Sequence, residues 1–325
     1  MWAYLLRRIT YAIPIVFLVN LLTFSLFFMV NTPDDVARLQ LGGKYTTPAA
    51  VKRWKESHHY DLPLFYNTNL KGLSAVQQTL FFQKSLQLLH FDFGQSLSGR
   101  NIMRDLHERM GPSLAIAAPS LIFGVFSNML LGLLILCFRG TRTGMMTTSL
   151  CVAMMSISGM FYIICGQYWI AKIAQLVPIS GWQSGLEALR FIALPVMVSV
   201  ISGLGAGSRW YNTIFEEEWY KDYVRTAKAK GLSEWRLLFK HVVPNALVPI
   251  VTGIVAILPL LFMGSLLVES FFGIPGLGSY TLEAINHQDF EIIRVMVFIG
   301  TLLYLLGLFL TDIVYTLIDP RIRLN

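Results

Sequence analysis

An all-α integral membrane protein is predicted from the composition, the length of the apolar stretches and the distribution of basic residues. The chain has 325 residues, of which 54% are hydrophobic and only 14% are charged. Ordinary soluble domains carry roughly 25% charged residues. The formal net charge is +7. In a membrane protein this charge fits basic loops that face an anionic membrane surface, so it does not indicate nucleic-acid binding.

Six apolar stretches are candidates to cross a hydrocarbon core about 30 Å thick, which takes roughly 20 helical residues. They comprise residues 9–30, 114–138, 145–177, 191–207, 246–268 and 292–317. The first follows Arg7 and Arg8 and has a signal peptide as its alternative interpretation. It is too long for a signal peptide and lacks an A-x-A cleavage site, so we expect a retained first transmembrane helix.

The basic residues predict the orientation. With the N-terminus inside, the inner loops hold most of the Lys and Arg of the short loops, seven of them between Arg209 and Lys240. The short outer loops hold Arg190 and Arg294. Since cytoplasmic loops are enriched in Lys and Arg, both termini are expected in the cytoplasm.

This topology predicts three parts. Residues 1–30 form the N-terminal tail and first transmembrane helix, and residues 31–112 form one large periplasmic excursion. Residues 113–325 form the core with helices two to six, including a cytoplasmic loop over 209–244. A long translocated segment is exempt from the charge bias. We expect the excursion to act as a lid or vestibule on the outer ends of the helices.

A polar segment, residues 220–244, interrupts the apolar pattern and predicts a helix–glycine–helix unit. Within 213–240 the first helix is expected to begin near Glu216–Glu218 and to end before Gly231, where a left-handed residue is needed. Ser233 is expected to cap the second helix. Pro244 suits the first turn of the next membrane helix.

An apolar stripe is expected on the second helix, formed by Leu232, Trp235, Leu238 and Phe239. Two interpretations stay open on these residues alone. The segment is either an amphipathic connector lying on the lipid headgroups or a rigid knob that inserts into a groove of a partner protein.

The motif in this segment resembles the EAA loop of ABC importer permeases. The family pattern is E-A-A, three residues, Gly, nine residues and I-x-L-P. Here Arg225-Thr226-Ala227 stands for E-A-A, Gly231 follows at the family's spacing, and the last element is His241-Val-Val-Pro244. Arg-Thr-Ala with Lys-Gly is typical of the peptide and nickel branch.

Further segments carry the same resemblance from end to end. They are the N-terminal Met-Trp-Ala-Tyr-Leu-Leu-Arg-Arg, residues 91–100 with Phe-Asp-Phe-Gly-Gln-Ser-Leu, residues 269–278 with Asp289, and Asp312, Tyr315 and 319–323. The chain is similar to the "B" permease of dipeptide, oligopeptide and nickel importers. Two segments depart from the family pattern, residues 109–114 and the Met- and Ser-rich residues 154–160.

The resemblance implies the type I ABC importer permease fold in the inner membrane. It implies a heterodimer with a second permease, two ATPase subunits that use ATP and Mg, and a periplasmic solute-binding protein. The implied cargo is a di- or oligopeptide, with nickel or another solute as the alternative. The residues implied to couple to an ATPase are Arg225, Thr226, Ala227, Lys228, Gly231, Leu232, Trp235, Arg236 and Pro244.

Five polar residues are candidates for the pathway or a gate: Asn20, Asn128, Ser156, Ser158 and Glu269. Each has a structural alternative. The asparagines can form hydrogen bonds between helices. Glu269 can be a gate or a docking point for the binding protein, or simply a solvated helix end.

Catalytic and metal-binding motifs do not occur in the sequence. It has no G-x-x-x-x-G-K-[ST], H-E-x-x-H or G-x-S-x-G, so no cofactor or catalytic residue is expected on this chain. His58 and His59 are adjacent and cannot share one helical face, which disfavours a metal site. An ion-coupled secondary transporter is the less favoured alternative, because Asp312 is a lone intramembrane carboxylate. Membrane lipid is an expected partner, and nucleic acid is not.

Overall fold

The structure is a computed structural model that describes residues 2–42, 46–58, 60–68 and 70–318. Within these ranges the regular structure is helical, and one isolated antiparallel bridge joins Gln95 and Asn101. The predicted all-α class is confirmed. The C-terminal motif at 319–323 lies outside the described residues.

The helices of the first third begin with one long apolar helix and continue with short amphipathic ones. They are α1 (Trp2–Val30), α2 (Pro33–Gln40), α3 (Pro48–Ser57), α4 (Ser74–Gln77) and α5 (Leu80–Leu89). Threonine side chains cap α2, α3 and α5, and Pro33 and Pro48 follow their capping residues in the first turn. Proline is favoured there because its missing N–H would have no helical partner.

The remaining helices include the long apolar ones. They are α6 (Ile102–Cys137), α7 (Arg142–Met155), α8 (Gly159–Gly166), α9 (Ala188–Trp219), α10 (Asp222–Ala229), α11 (Glu234–Leu237), α12 (Val243–Ile257), α13 (Leu266–Phe272), α14 (Leu277–Asn286) and α15 (Phe290–Ile318). A π-helical turn follows α8 (Gln167–Ile173), and another joins α11 to α12 (Leu238–Val242). A 3₁₀ turn, Leu258–Met263, extends α12.

Five helical segments of the described chain are long and apolar enough to cross a membrane. They are Thr10–Val30, Ile102–Cys137, Gly185–Trp219, Glu234–Met263 and Phe290–Thr316. A sixth span results if α7 and the α8 segment cross together, although they are bent by 91° at their junction. The predicted third span therefore breaks at 156–158, near its middle and not near its end.

Two spans are longer than the sequence predicts. α6 begins at Ile102, although its apolar stretch begins at Leu114, and α9 continues to Trp219, although its apolar stretch ends at Gly207. Hydropathy detects only the part of a helix that is apolar. The first turns of α6 and the last turns of α9 carry polar residues such as Asp105 and Glu216, so hydropathy does not detect them as helix.

The described chain forms two compact units. One comprises residues 1–108 with 283–305, and the other comprises 109–282 with the chain from 306 onward. The first has an aromatic core in which Phe24, Phe28 and Phe81 are buried and Phe27 stacks on Phe290 with ring centroids 3.5 Å apart. Aromatic side chains bury large areas, so this cluster holds α1 against α5 and the start of α15.

Buried ionic contacts add to the core of the first unit. The Glu291 carboxylate accepts from Lys84 Nζ at 2.6 Å, from Tyr60 OH at 3.0 Å and from Arg294 Nη2 at 3.0 Å. Burial raises the pKa of Tyr60, and the adjacent Glu291 charge raises it further. Asp289 accepts a 2.6 Å hydrogen bond from the Leu97 amide, which joins two of the segments that carry the family resemblance.

The second unit packs its helices through small residues. At Gly205 of α9, a Cβ atom would lie 2.5 Å from the Cys151 carbonyl oxygen and 3.0 Å from the Met155 amide nitrogen, both on α7. At Gly203, on the same helix, a Cβ would meet no atom within 4 Å. Glycine at 205 therefore permits the close approach of α7 and α9 that membrane helices use for association.

We predict that Gly205→Ala destabilises the protein by about 1–3 kcal/mol, the usual cost of overpacking. The added methyl group would meet the backbone of α7, which cannot give way as a side chain can. Thermal unfolding in detergent measures the effect. Gly203→Ala is the matched control and should keep the wild-type melting temperature; equal melting temperatures for the two variants would contradict the packing argument.

Candidate functional site

The polar segment, residues 220–244, is a continuous run of helical turns. It contains α10, a glycine turn, α11 and the π-helical turn that leads into α12. Pro244 lies in the first turn of α12, as predicted. The predicted helix–glycine–helix unit is confirmed.

Gly231 ends α10 by a specific hydrogen-bond pattern. Its φ is +81°, its N–H donates to Lys228 O at 3.0 Å, and the Leu232 N–H donates to Ala227 O at 3.4 Å. This is the Schellman motif, in which a left-handed residue satisfies the last carbonyls of a helix. Ser233 occupies the N-cap position of α11, but its side chain makes no capping hydrogen bond. The turn therefore depends on Gly231.

The predicted start of the first polar helix is wrong. Glu216–Glu218 lie in the last turn of α9, and α10 begins at Asp222. Glu218 is buried and accepts a 2.6 Å hydrogen bond from Tyr223 OH and another from Lys221 Nζ. Burial raises the pKa of Tyr223, and its hydrogen bond to Glu218 adds to the shift. These contacts tie α10 to the end of α9.

One face of the polar segment is part of the hydrophobic core of the second unit. Its buried residues pack with the ends of α6, α9 and α12. The cluster comprises Leu136, Tyr211, Ile214, Phe215, Val224, Ala227, Leu237, Leu238, Val242, Ala246 and Ile250. Leu232 packs against it and is partly buried. Ala227 thus faces the core of its own chain.

The opposite face is cationic and aromatic. The side chains of Arg225 and Lys228 are 73% and 62% exposed, and Thr226 and Arg236 are also exposed. Trp235 stacks on Phe239 at the surface, with ring centroids 5.9 Å apart. The predicted apolar stripe is therefore split, because Leu238 is buried while Trp235 and Phe239 are exposed.

A cavity of about 520 Å³ lies between α6, α9 and α12. Small and polar residues contribute much of its lining: Ser120, Gly124, Asn128, Ser199, Gly203 and Gly253. The Ser208 hydroxyl donates to Asn128 Oδ1 at 3.2 Å, so Asn128 forms the interhelical hydrogen bond predicted as its structural alternative. Asn128 also lines the cavity. The Ser120 hydroxyl is buried there and has no hydrogen-bond partner among the described residues.

The other candidate pathway residues lie elsewhere. Ser156 and Ser158 flank the bend between α7 and α8, where Ser156 Oγ donates to Val152 O at 3.0 Å. Asn20, in the first unit, donates to Ser85 Oγ at 2.6 Å. Sequence reasoning missed Gly203 and Trp210 as cavity-lining residues; the glycines at 203, 205 and 207 were the available signal.

Glu269 is the centre of the 264–279 loop. It is 1% exposed, so the solvated-end interpretation is wrong. Its carboxylate accepts from the Ser265 amide and from the Ser279 amide, each at 3.0 Å. Ser113 also hydrogen-bonds to it and accepts from the Leu277 amide at 2.7 Å. Burial raises the pKa of Glu269, and these donors oppose that shift.

Glycines leave room for this carboxylate. A Cβ at Gly264 or Gly276 would collide with the Glu269 oxygens, and Gly264 also has a φ of +69°. The described residues contain no group of three or more His, Cys, Asp or Glu side chains placed to hold a metal ion.

Comparisons with known proteins define the family. The model of the binding-protein-dependent transport system inner membrane component matches residues 128–324, and the model of the N-terminal part of such membrane components matches residues 1–115. The chain therefore belongs to this family. It is an inner-membrane permease of the ABC importer class and a transport subunit, not an enzyme, as predicted.

Curated relatives span the whole chain. It is 28% identical to the dipeptide transport system permease protein DppB of Bacillus subtilis, over 99% of this chain and 98% of that protein. It is 29% identical to a putative peptide transport system permease protein of Brucella abortus, over 99% of each chain. It is 26% identical to the glutathione transport system permease protein GsiC of Shigella flexneri, over 98% of each.

We predict that Glu269→Gln lowers the stability of the permease by about 1–3 kcal/mol, the cost of leaving a buried donor unpaired. Both carboxylate oxygens accept backbone N–H groups, and the glutamine NH₂ cannot accept. Thermal unfolding and protease cleavage within 264–279 measure the effect. Glu217→Gln, at an exposed carboxylate outside this loop, is the control and should be neutral; an equally neutral Glu269→Gln would contradict the assigned role.

Proposed function

We propose that this chain forms half of the translocation path of an ATP-driven importer of di- or oligopeptides. A second permease completes the path, two ATPase subunits use ATP and Mg, and a periplasmic binding protein delivers the cargo. The observation that carries the proposal is the packing of the polar segment onto the ends of α6, α9 and α12. The same three helices line the 520 Å³ cavity.

This arrangement supports a mechanical link. The buried face includes Val224, Leu237 and Val242, and close-packed protein interiors transmit displacement instead of absorbing it. A push on the polar segment then moves the helices around the cavity. The exposed face with Arg225, Trp235 and Arg236 is the part that would enter an ATPase groove.

Peptide cargo is supported by the names of the relatives, which refer to dipeptides, peptides and glutathione. The cavity favours a cargo with apolar parts, since only a few polar groups such as Ser120 and Asn128 interrupt its lining. Nickel or another solute is the alternative cargo. Uptake of labelled dipeptide and of labelled nickel by the reconstituted importer, measured side by side, distinguishes the two cargoes.

The proposed orientation places both termini and the polar segment in the cytoplasm. The Lys and Arg distribution supports it. Residues 31–112 are then periplasmic, where a role as lid or vestibule stays part of the proposal. Their ordered helices α2, α3 and α5 suit such a role better than a flexible linker would.

We predict that Trp235→Ala combined with Arg225→Glu reduces co-purification of the ATPase subunits and abolishes transport. Truncation of an interface tryptophan typically costs about 2 kcal/mol or more, which is roughly thirtyfold in affinity. Both side chains are exposed, so abundance and melting temperature should not change. Ala227 is not substituted in this test, because it is buried and its replacement would disturb the core.

The matched control combines Trp169→Ala with Arg53→Glu, which are also exposed but lie outside the polar segment. It should keep ATPase binding and transport. If the Trp235/Arg225 variant bound the ATPase subunits and transported cargo as the wild type does, at normal abundance, the assignment of the docking face would be wrong.

We predict that Gly203→Trp blocks transport without unfolding the protein. A side chain at 203 enters the cavity and meets no atom within 4 Å of its Cβ, so the indole fills space instead of displacing a helix. Peptide uptake into proteoliposomes, with ATP hydrolysis measured in parallel, is the assay. Gly111→Trp has equally open space outside the cavity and should transport normally; normal uptake by Gly203→Trp would exclude the cavity from the path.

A further inference from the structure

A second cavity, of about 290 Å³, lies between the end of α6 and the start of α11. Cys137, Trp219 and Glu234 line it, and each is a terminal residue of one of the candidate spans. The apolar stretch of α6 ends at Phe138, which also lines the cavity, so the cavity lies near the depth of the lipid headgroups. Two tryptophans, Trp219 and Trp235, line the cavity, and tryptophan is enriched at this depth.

A positive charge lines one part of the cavity. Arg139 follows α6, and its guanidinium lies 4.2 Å from the centre of the Trp219 ring. Its Nη1 atom is buried and has no hydrogen-bond partner among the described residues. A buried donor on a charged group lowers the stability of the protein when it has no acceptor. The guanidinium therefore favours the binding of an acceptor, and a phosphate oxygen fits its geometry best.

A negative charge lines the same cavity. Glu234 begins α11, and its nearest cation, Lys228 Nζ, is 4.0 Å away with both side chains largely exposed. Such a pair contributes little, so the Glu234 carboxylate is available to a second cation. Cys137 lines the same cavity as Glu234 and Arg139.

We propose that this cavity binds the headgroup of a phospholipid that carries both a phosphate and a primary amine, as phosphatidylethanolamine does. The phosphate pairs with Arg139 and the ammonium donates to Glu234. The acyl chains run along the exposed Leu134 and Phe138. A purely anionic lipid would leave Glu234 without a cation, and a choline headgroup has no N–H to donate to it.

The headgroup contacts both α6 and α11, which are far apart in the sequence. Bound lipid therefore holds the polar segment on the end of a membrane span. This site is distinct from the proposed transport path, and the inference stands whether or not the cargo is a peptide.

The experiment uses the purified importer, with its partner subunits, in nanodiscs of phosphatidylethanolamine, phosphatidylcholine or phosphatidylglycerol. Cys151→Ala and Cys165→Ala leave Cys137 as the reporter, and the rate of maleimide labelling reports occupancy. We expect labelling about tenfold slower in phosphatidylethanolamine, as the loss or gain of one charge-assisted hydrogen bond implies. Native mass spectrometry should retain a phosphatidylethanolamine molecule.

Arg139→Gln and Glu234→Gln should each remove the protection. Glu234 is largely exposed, so its variant keeps the proposal testable if Arg139→Gln fails to fold. The matched controls are Arg142→Gln and Glu217→Gln, because both residues are exposed and do not line the cavity. These variants should keep the protection of Cys137 from labelling.

Four outcomes would overturn the proposal. They are equal labelling in all three lipids, equal protection by phosphatidylglycerol, protection by soluble phosphorylethanolamine or inorganic phosphate in detergent, and protection that follows ATPase binding irrespective of lipid. The last would assign the cavity to the ATPase interface.

Discussion

The burial of one face of the polar segment against the ends of α6, α9 and α12 is the constraint on which the rest of the second unit depends. Val224, Leu237 and Val242 are almost inaccessible to solvent. Their packing fixes the position of α10 and α11, so the exposed face presents Arg225 and Trp235 in a defined arrangement. A loop held only by its two ends could not present a partner with a rigid surface.

The opposite part of the second unit is organised by hydrogen bonding to one carboxylate. Glu269 gathers amide donors from both ends of the 264–279 loop, and Gly264 and Gly276 leave the space it occupies. These hydrogen bonds hold α13 to the start of α14 across the irregular turn between them. Packing at the polar segment and hydrogen bonding at Glu269 perform the same task, which is to make a connection between helices stiff.

Local chemistry let the sequence predict Gly231 and Pro244 correctly, because a left-handed turn and a helix start each need a particular residue type. The membrane helices followed from hydropathy, but their polar ends did not. Glu216–Glu218 were misplaced because acidic residues favour the start of a helix, and the contacts of the buried Glu218 with Lys221 and Tyr223 do not show in the local sequence. The burial of Glu269 and the cavity at Gly203 depend on distant segments, Ser113 and α12 among them, and no local pattern reports such distances.

The π-helical turn at Leu238–Val242 lies between α11, which exposes Trp235, and the membrane helix α12. Its wider hydrogen-bonded ring shifts the angular phase between α11 and α12. One continuous rod thereby carries two independently oriented surfaces, one for the aqueous side and one for the bilayer. Substitutions that adapt either surface to a new neighbour need not rotate the other, so partner choice and membrane packing can diverge separately.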